Sequence, residues 1–208
     1  MSEDKPIVFV VDDSPSVRDA LDSLIRSVHL NVRSFGSTEE FLLFKRPDAP
    51  GCIVLDVRLP GLSGLDFHRE MAKSNVDLPV IFITGHGDVP MSVRAIKAGA
   101  IEFLPKPFRD QDLLDAINLG IERDRSRRQA SAIVAMLREH FASLTARERQ
   151  VMLQVASGRP NKQIAGELKL SDVTVKVHRR HVMQKMKAKS LADLVRMADK
   201  LSDRPETA

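Results

Sequence analysis

The chain has 208 residues, which is enough for one large domain or two small ones. Its 43% hydrophobic and 29% charged residues are typical of a soluble globular protein, and no apolar run approaches the roughly 18 to 20 residues of a membrane helix. Residues 1–123 carry 14 Lys and Arg against 19 Asp and Glu, a net charge of −5, whereas residues 124–208 carry 18 against 9, a net charge of +9. We therefore expect only the second part to meet a polyanion such as nucleic acid.

The start of the chain and its single cysteine both bear on location. The N-terminus has no basic region leading into an apolar stretch, so we expect no signal peptide and no membrane association. Cys52 can form no internal disulfide, and beside the apolar residues of a predicted strand it should be a small buried side chain. Both features favour a reducing cytoplasm.

Residues 1–109 alternate between strand-like and helix-like segments. Each short apolar run predicts a strand and is followed by a segment with helical periodicity, the second of which could open with a Ser37–Glu40 capping box. Five such units in about 120 residues predict an α/β fold with a doubly wound, five-stranded parallel sheet. The predicted strands are Ile7 to Val11, Val32 to Phe35, Cys52 to Leu55, Val80 to Ile83 and Ile101 to Leu104; the predicted helices are Pro15 to Ser27, a short one after Ser37, Leu65 to Met71, Pro90 to Ala98 and one from Asp110.

A long helical stretch follows the last predicted strand. From Asp110 to about His140 only Gly120 interrupts the helical pattern, which predicts one long helix that leaves the first domain as a linker. A broken or partly frayed linker is the alternative that Gly120 leaves open. The predicted organisation is a first domain over 1–123, a helical linker over 124–142 and a second domain over 143–208.

The second domain has an all-helical pattern. Thr145 and Glu148 fit a capping box at the first helix, and Ser190 can cap the last one. Between them, predicted helices over 161–168 and 172–187 are joined by three residues, which is helix-turn-helix spacing with the second as recognition helix. The tail from Ser202 to Ala208 is expected to fray.

Five polar residues follow the predicted strands of the first domain. Parallel strands end at one edge of a sheet, where ligands of this fold gather. Any one of them alone is more often a helix cap, a surface lysine or a satisfied hydroxyl, but together they predict one pocket. Clustered carboxylates repel unless a cation neutralises them, which suits a hard divalent ion such as Mg²⁺. These residues are Asp12, Asp13, Asp56, Thr84 and Lys106.

The motifs around these residues strongly resemble the four signatures of bacterial receiver domains, in order and spacing, over about 120 residues. The resemblance implies that Asp56 accepts a phosphoryl group from a histidine kinase. It also implies that Asp13, Asp56 and the main-chain carbonyl of Arg58 bind Mg²⁺, with Asp12 acting mostly through water. The motifs are Val11-Asp12-Asp13, Leu55-Asp56-Val57-Arg58-Leu59-Pro60-Gly61, Ile83-Thr84-Gly85 and Leu104-Pro105-Lys106-Pro107-Phe108.

The same resemblance predicts how the domain switches. Thr84 and Lys106 would hold the phosphoryl oxygens, and the usual switch aromatic falls at Phe103. Our own hypothesis is that a phosphoryl group on Asp56 draws Thr84 toward it through a charge-assisted hydrogen bond, so that Phe103 turns inward and receivers pair through a remodelled face. That face carries Val93, Arg94, Lys97 and Phe103.

The residues of the predicted recognition helix separate into two faces. Val175, Val182 and Met186 should pack inward, and the opposite face suits a major groove, because Lys and Arg reach guanine acceptors and valine can touch a thymine methyl. Near helix N-termini, Lys162 and Thr174 can hold phosphates. Taken alone, a basic helix face is more often only solvated. The outward residues are Val173, Lys176, Val177, Arg180 and Gln184.

Three motifs of this domain strongly resemble the LuxR-type helix-turn-helix, so that the whole chain is identified as a member of the NarL/FixJ family of response regulators. The segment from His86 through Phe108 and the long linker are most similar to the FixJ and StyR-like subgroup. The family implies base contacts from Lys176, Val177 and Arg180, and phosphate contacts from Lys162, Thr174 and Arg179. The motifs are Leu144-Thr145-Ala146-Arg147-Glu148, Asn161-Lys162-Gln163-Ile164-Ala165 and Thr174-Val175-Lys176-Val177-His178.

Family membership implies partners and argues against two rival functions. The expected partners are a sensor histidine kinase, double-stranded promoter DNA, RNA polymerase and, when phosphorylated, a second copy of the chain. An aspartyl-phosphate phosphatase would need a lid and a further acid or base, so we expect no enzyme beyond slow self-dephosphorylation. Single-stranded RNA readers use stacking aromatics, and the second domain has only Phe141 at its edge.

Overall fold

The computed structural model describes residues 5–73, 76–85 and 89–202. Internal contacts divide the chain into two compact units, one up to Arg128 and one from Gln129 onward. Two sequence predictions fall partly outside the described residues: the segment that begins at His86, and the frayed tail, of which only Ser202 is described, as the last residue of a helix. Within the described ranges, no helix is both long enough and apolar enough to cross a membrane.

The first unit is built on a sheet of five parallel strands. Their spatial order is β2-β1-β3-β4-β5, which confirms the predicted doubly wound sheet. Because β1 and β3 are neighbours, the ends of these two strands lie side by side, with Val11 opposite Leu55. The strands are β1 (Ile7–Val11), β2 (Asn31–Phe35), β3 (Gly51–Asp56), β4 (Val80–Thr84) and β5 (Glu102–Pro105).

Helices connect the strands and cover both sides of the sheet. Along β1, Phe9 belongs to one apolar cluster while Val8 and Val10 belong to a second, because successive strand residues point to opposite faces. Burial on both faces explains why β3 and β4 are apolar without alternation. The helices of this unit and of the segment that follows it are α1 (Pro15–Ser27), α2 (Thr38–Leu43), α3 (Gly64–Lys73), α4 (Val89–Lys97) and α5 (Asp110–Ala142).

The predicted cap of α2 is only half formed. Ser37 caps the helix, since its hydroxyl accepts a hydrogen bond from the Glu40 amide at 3.2 Å. The Glu40 carboxylate, however, accepts from the amide of Gly36 at 2.8 Å rather than from that of Ser37. The reciprocal bond of a capping box is therefore shifted by one residue.

Helix α5 runs unbroken from Asp110 to Ala142, so the prediction of one long helix is confirmed and the broken alternative is wrong. Gly120 does not break the helix but allows it to approach the sheet. A Cβ atom at this position would lie 2.9 Å from the Cβ of Cys52, closer than real Cβ contacts allow. The buried thiol of Cys52 is thus a small core group, as predicted, and burial raises its pKa.

The second unit is all-helical around one apolar core. Thr145 and Glu148 form both bonds of the predicted capping box. The recognition helix ends at Lys185 rather than Lys187, because Met186 caps it and Lys187 has a left-handed backbone with φ of 55°. Its helices after α5 are α6 (Ala146–Ala156), α7 (Asn161–Leu168), α8 (Asp172–Lys185) and α9 (Leu191–Ser202).

Candidate functional site

The structure brings the polar residues at the strand ends of the first unit together. Asp12 follows β1, Asp56 and Thr84 are the last residues of β3 and β4, and Lys106 follows β5. Asp12, Asp56 and Thr84 are buried, whereas Asp13 is exposed. The backbone N–H of Lys106 donates to the Thr84 carbonyl at 2.7 Å, which fixes the loop after β5 against the end of β4. The next peptide bond, Lys106–Pro107, is cis.

Lys106 connects two of the carboxylates. Its Nζ lies 2.7 Å from Oδ2 of Asp12 and 2.8 Å from Oδ2 of Asp56. The other oxygen of each carboxylate accepts from the backbone: Oδ1 of Asp12 from Ser14 N, and Oδ1 of Asp56 from Arg58 N, both at 2.9 Å. Both carboxylates are therefore held in fixed orientations at the carboxyl ends of the strands.

The pocket contains more negative than positive charge. Carboxylate oxygens of Asp12, Asp13 and Asp56 lie within 4.8 Å of one another, with the single ammonium of Lys106 between two of them. Burial raises the pKa of Asp56, against the opposing influence of Lys106. Burial would lower the pKa of Lys106, but its hydrogen bonds to Asp12 and Asp56 outweigh this and the net shift is upward. Oxygen donors with surplus negative charge fit a hard divalent cation such as Mg²⁺.

Phe103 lies close to this pocket in the sheet, on the strand next to the one that ends at Thr84. Its side chain is 9% exposed and belongs to the apolar cluster on one face of the sheet, with its ring 6.4 Å from that of Phe82. The inward turn predicted from the sequence would therefore start from a side chain that is already largely covered.

In the second unit, helix α8 has the two faces that its sequence predicts. The three inward residues, Val175, Val182 and Met186, are buried in the core. Every residue of the opposite face is exposed. Two of them, Val173 and Val177, are apolar side chains that are not buried in the core of the unit. That face consists of Val173, Lys176, Val177, Arg180 and Gln184.

Several polar residues on or beside this face already have a hydrogen-bond or ion-pair partner. Nη1 of Arg179 donates to Oδ1 of Asn161 at 2.6 Å, which ties α8 to the N-terminus of α7. Nζ of Lys176 pairs with Asp172 at 2.9 Å, one turn earlier on the same helix. The hydroxyls of Thr174 and Ser171 are 2.8 Å apart at the start of α8, and Lys162 is exposed on α7.

A second cluster of potential metal ligands in the described part of the chain has a structural explanation. Glu148, His178 and His181 each offer an atom within 4.8 Å of the others. Oε2 of Glu148, however, already accepts from Lys185 Nζ at 2.6 Å and from Thr145 N at 2.8 Å. These bonds neutralise the carboxylate and join α6 to α8.

Sequence reasoning missed a buried charge network at the end of the first unit. Asp124 is fully buried, and its Oδ1 accepts from Arg127 Nη2 at 2.5 Å. Its Oδ2 accepts from Arg128 Nε at 2.7 Å and from Gly51 N at 3.0 Å, so α5 is anchored to the first residue of β3. The i, i+3 and i, i+4 spacing from Asp124 to the two arginines was the available signal, within a segment that otherwise reads as a solvated linker.

Comparisons with known proteins assign each of the two units to a family. Residues 8–118 match the family described as response regulator receiver domain, and residues 142–198 match bacterial regulatory proteins of the luxR family. The chain therefore belongs to the two-component response regulators of the NarL/FixJ family, which join a receiver to a LuxR-type DNA-binding domain. These proteins regulate transcription and are not enzymes in the usual sense.

Individual relatives narrow this assignment to the FixJ-like group. The chain is 57% identical to Nodulation protein W of Bradyrhizobium diazoefficiens, over 95% of this chain and 87% of the relative. It is 45% identical to the response regulator protein TodT of Pseudomonas putida, over 98% and 89%. Among solved structures, the response regulator StyR superposes with a TM-score of 0.83 at 51% identity, covering 94% of this chain and 99% of StyR. Full-length FixJ from B. japonicum gives 0.56 at 38% identity, covering 97% and 98%.

Proposed function

We propose that Asp56 accepts a phosphoryl group from a sensor histidine kinase in a Mg²⁺-dependent reaction, and that this promotes receiver pairing and sequence-specific binding of promoter DNA. The observation that carries the proposal is the geometry of Asp56, a buried carboxylate held by Lys106 and by the Arg58 amide beside two further carboxylates. The proposed domains are the receiver over 1–123, the linker over 124–142 and the DNA-binding domain over 143–208.

The pocket residues have distinct proposed roles. A carboxylate oxygen of Asp56 attacks the phosphorus of a phosphohistidine, an O–P bond forms, and the P–N electron pair leaves with the imidazole. The ammonium of Lys106 and the hydroxyl of Thr84 stabilise the phosphoryl oxygens. Asp13, Asp56 and the carbonyl of Arg58 would hold Mg²⁺, with Asp12 contacting it mostly through water. Bound Mg²⁺ would add the positive charge that the pocket lacks.

Phosphorylation would change the surface near α4. Thr84 gains a charge-assisted hydrogen bond to the phosphoryl group and moves toward it, and Phe103 follows into the vacated space. Helix α4 exposes Val93 beside the cations Arg94 and Lys97, and we propose that receivers pair through this surface. Since binding can only shift states that already exist, the unphosphorylated form should visit the active state occasionally.

The second unit would bind the DNA. Lys176, Val177 and Arg180 are proposed to contact bases in the major groove, a role supported by their exposure on one face of α8. A dimer of receivers would place two DNA-binding domains on an inverted or imperfect repeat. Phosphate contacts are proposed for Lys162, Thr174 and Arg179. We propose that the protein acts in the cytoplasm with RNA polymerase as a partner, and that its own catalysis is limited to slow self-dephosphorylation.

Labelling tests the phosphorylation site. Acetyl phosphate with Mg²⁺ should add one phosphoryl group to the full chain, measured by intact mass, and Asp56→Asn should remain unlabelled. Asp19→Asn, which changes an exposed carboxylate on α1, is the matched control and should be labelled like the wild type. Equal labelling of Asp56→Asn would contradict the assignment.

Sedimentation tests pairing. Beryllofluoride mimics the phosphoryl group, and with Mg²⁺ it should convert the full chain from monomer to dimer at micromolar concentration. Val93→Glu should prevent the shift, because it places a charge in the pairing surface. A monomer under both conditions, or an equally tight dimer under both, would contradict phosphorylation-driven pairing.

A further inference from the structure

Arg18 contacts the backbone of Asp12 and Asp13, the acidic pair that follows β1. It lies in the first turns of α1, yet its side chain turns back to the loop that precedes the helix. Nη1 donates to the main-chain carbonyl of Asp12 at 2.7 Å and to that of Asp13 at 3.0 Å. One guanidinium nitrogen therefore bridges two successive carbonyls, a contact that requires their peptide groups to keep one relative orientation.

The two aspartates depend on this contact to different degrees. Asp12 is also fixed by its amide, which donates to Phe35 O at 3.2 Å, and by its carboxylate, which binds Ser14 N and Lys106 Nζ. Asp13 is exposed, and the described hydrogen bond to it is the one that Arg18 donates to its carbonyl. Loss of Arg18 should consequently leave Asp12 in place and release Asp13.

The contact also leaves the acidic side chains available. Arg18 donates to carbonyls and not to the carboxylates, so it orients Asp13 without occupying the oxygens that a cation would need. A guanidinium suits this role because it stays charged and its Nη1 carries two N–H groups, one for each carbonyl. Groups that orient metal ligands in this way commonly change metal affinity by about 10- to 100-fold when removed.

We infer that Arg18 is a positioning residue for the Mg²⁺ site: it fixes the Asp12–Asp13 backbone so that the Asp13 carboxylate meets the same cation as Asp56. This inference rests on the proposed function, because the cation site belongs to it. Arg18 acts through Asp13 and needs no contact with the cation or the phosphoryl group.

The test is a calorimetric Mg²⁺ titration of the full chain. Arg18→Gln should raise the Mg²⁺ dissociation constant by about 10-fold or more, since the shorter amide cannot bridge both carbonyls. Arg18→Lys should fall between Arg18→Gln and the wild type, because an ammonium keeps the charge and has donors for both carbonyls but ends one bond short of the position of Nη1. Arg26→Gln is the matched control: Arg26 lies on the same helix, is largely exposed and, among the described residues, forms its ion pair with Asp22 at 3.5 Å, so the Mg²⁺ affinity of this variant should be unchanged.

A second readout separates positioning from general stability. At saturating Mg²⁺, acetyl phosphate should label Arg18→Gln within a few-fold of the wild-type rate, whereas at limiting Mg²⁺ the rate should fall with the affinity. Wild-type Mg²⁺ affinity in Arg18→Gln, or an equal loss in Arg26→Gln, would overturn the inference. If Arg18→Gln fails to fold, Arg18→Met decides, because it keeps an unbranched side chain without any donor, and wild-type affinity in that variant would overturn the inference.

The outcomes also distinguish this inference from the proposed function. A wild-type chain that binds Mg²⁺ in an Arg18-dependent manner but cannot be labelled would contradict phosphorylation and keep the role of Arg18. A chain that is labelled at Asp56 and binds Mg²⁺ equally well without Arg18 would support phosphorylation and overturn the role of Arg18.

Discussion

Each unit of the protein buries a contact between a lysine and a carboxylate, but the surrounding charge differs. In the first unit, Lys106 contacts Asp12 and Asp56, and Asp13 lies close to both of these carboxylates. In the second unit, Lys185 contacts the single carboxylate of Glu148, which also accepts from a backbone amide. The first site is short of positive charge, whereas the second is balanced.

The pKa values follow this difference. Burial raises the pKa of Asp56, because one ammonium shared between two carboxylates cannot offset it. The hydrogen bond from Lys185 instead lowers the pKa of Glu148 to about 2, with help from Thr145. A lysine and a carboxylate therefore stabilise a helix junction where their charges match. Where the carboxylates outnumber the lysine, the excess negative charge favours binding of a cation.

Replacing Lys106 or Lys185 should give the largest difference in unfolding free energy between the two sites. Lys106→Met leaves two buried carboxylates without their ammonium, so the first unit should lose about 3 to 5 kcal/mol of unfolding free energy in chelator. Mg²⁺ should restore most of this, because it can replace the missing charge. Lys185→Met should cost the second unit about 1.5 to 3 kcal/mol, since its ammonium is partly exposed, and Mg²⁺ should restore none.

Denaturant unfolding of the full chain, with and without Mg²⁺, measures both effects. A Mg²⁺ response that is equal for the two variants would remove the distinction between an unbalanced and a balanced site.

Acid should act on the balanced site in a defined interval. The pKa of Glu148 is lowered from 4.5 to about 2 on folding, so its ionised form stabilises the folded second unit above pH 4.5, and this contribution is lost as the pH falls toward 2. The difference in unfolding free energy between wild type and Glu148→Gln should shrink from at most about 3 kcal/mol at pH 6 to near zero at pH 2. Glu139→Gln, which removes an exposed carboxylate on α5, is the control and should show no such trend. A pH-independent difference would contradict the lowered pKa.

Cations on the outside of the second unit should affect DNA binding by smaller amounts. With duplex sites selected from random DNA, Arg180→Ala should weaken binding by about 1 to 3 kcal/mol and relax preference at one base position. Lys162→Ala should weaken all sequences alike and reduce the slope of log affinity against log salt by about 1. Equal losses of Arg180→Ala on every sequence would show that Arg180 contacts phosphates instead.

The sheet and the acidic pocket could be predicted because local patterns determine them. Apolar runs marked the strands, and the polar residue after each run, such as Asp56 or Lys106, had to lie at the shared strand ends. The outward face of α8 followed from helical periodicity in the same way. In these cases, position along an element fixes position in the fold.

The contacts that were missed depend on pairs of residues that no local pattern connects. Arg18 has the sequence pattern of a solvated helix residue, and only its side-chain conformation brings it to the carbonyls of Asp12 and Asp13. Glycine is a poor helix former, yet Gly120 lies inside α5. The reason is the close approach of Cys52, which belongs to another element. Asp124 is buried because two arginines and a strand amide meet it there.

The central claim is that phosphorylation of Asp56 controls DNA binding, and the affinity of the full chain for a selected duplex tests it most directly. Fluorescence anisotropy with labelled DNA at fixed salt and Mg²⁺ should show binding at least about 10-fold tighter after addition of beryllofluoride, a change of about 1.4 kcal/mol. Asp56→Asn should bind like the untreated wild type under both conditions. Equal affinity of the wild type with and without beryllofluoride, or the same gain in Asp56→Asn, would contradict the account.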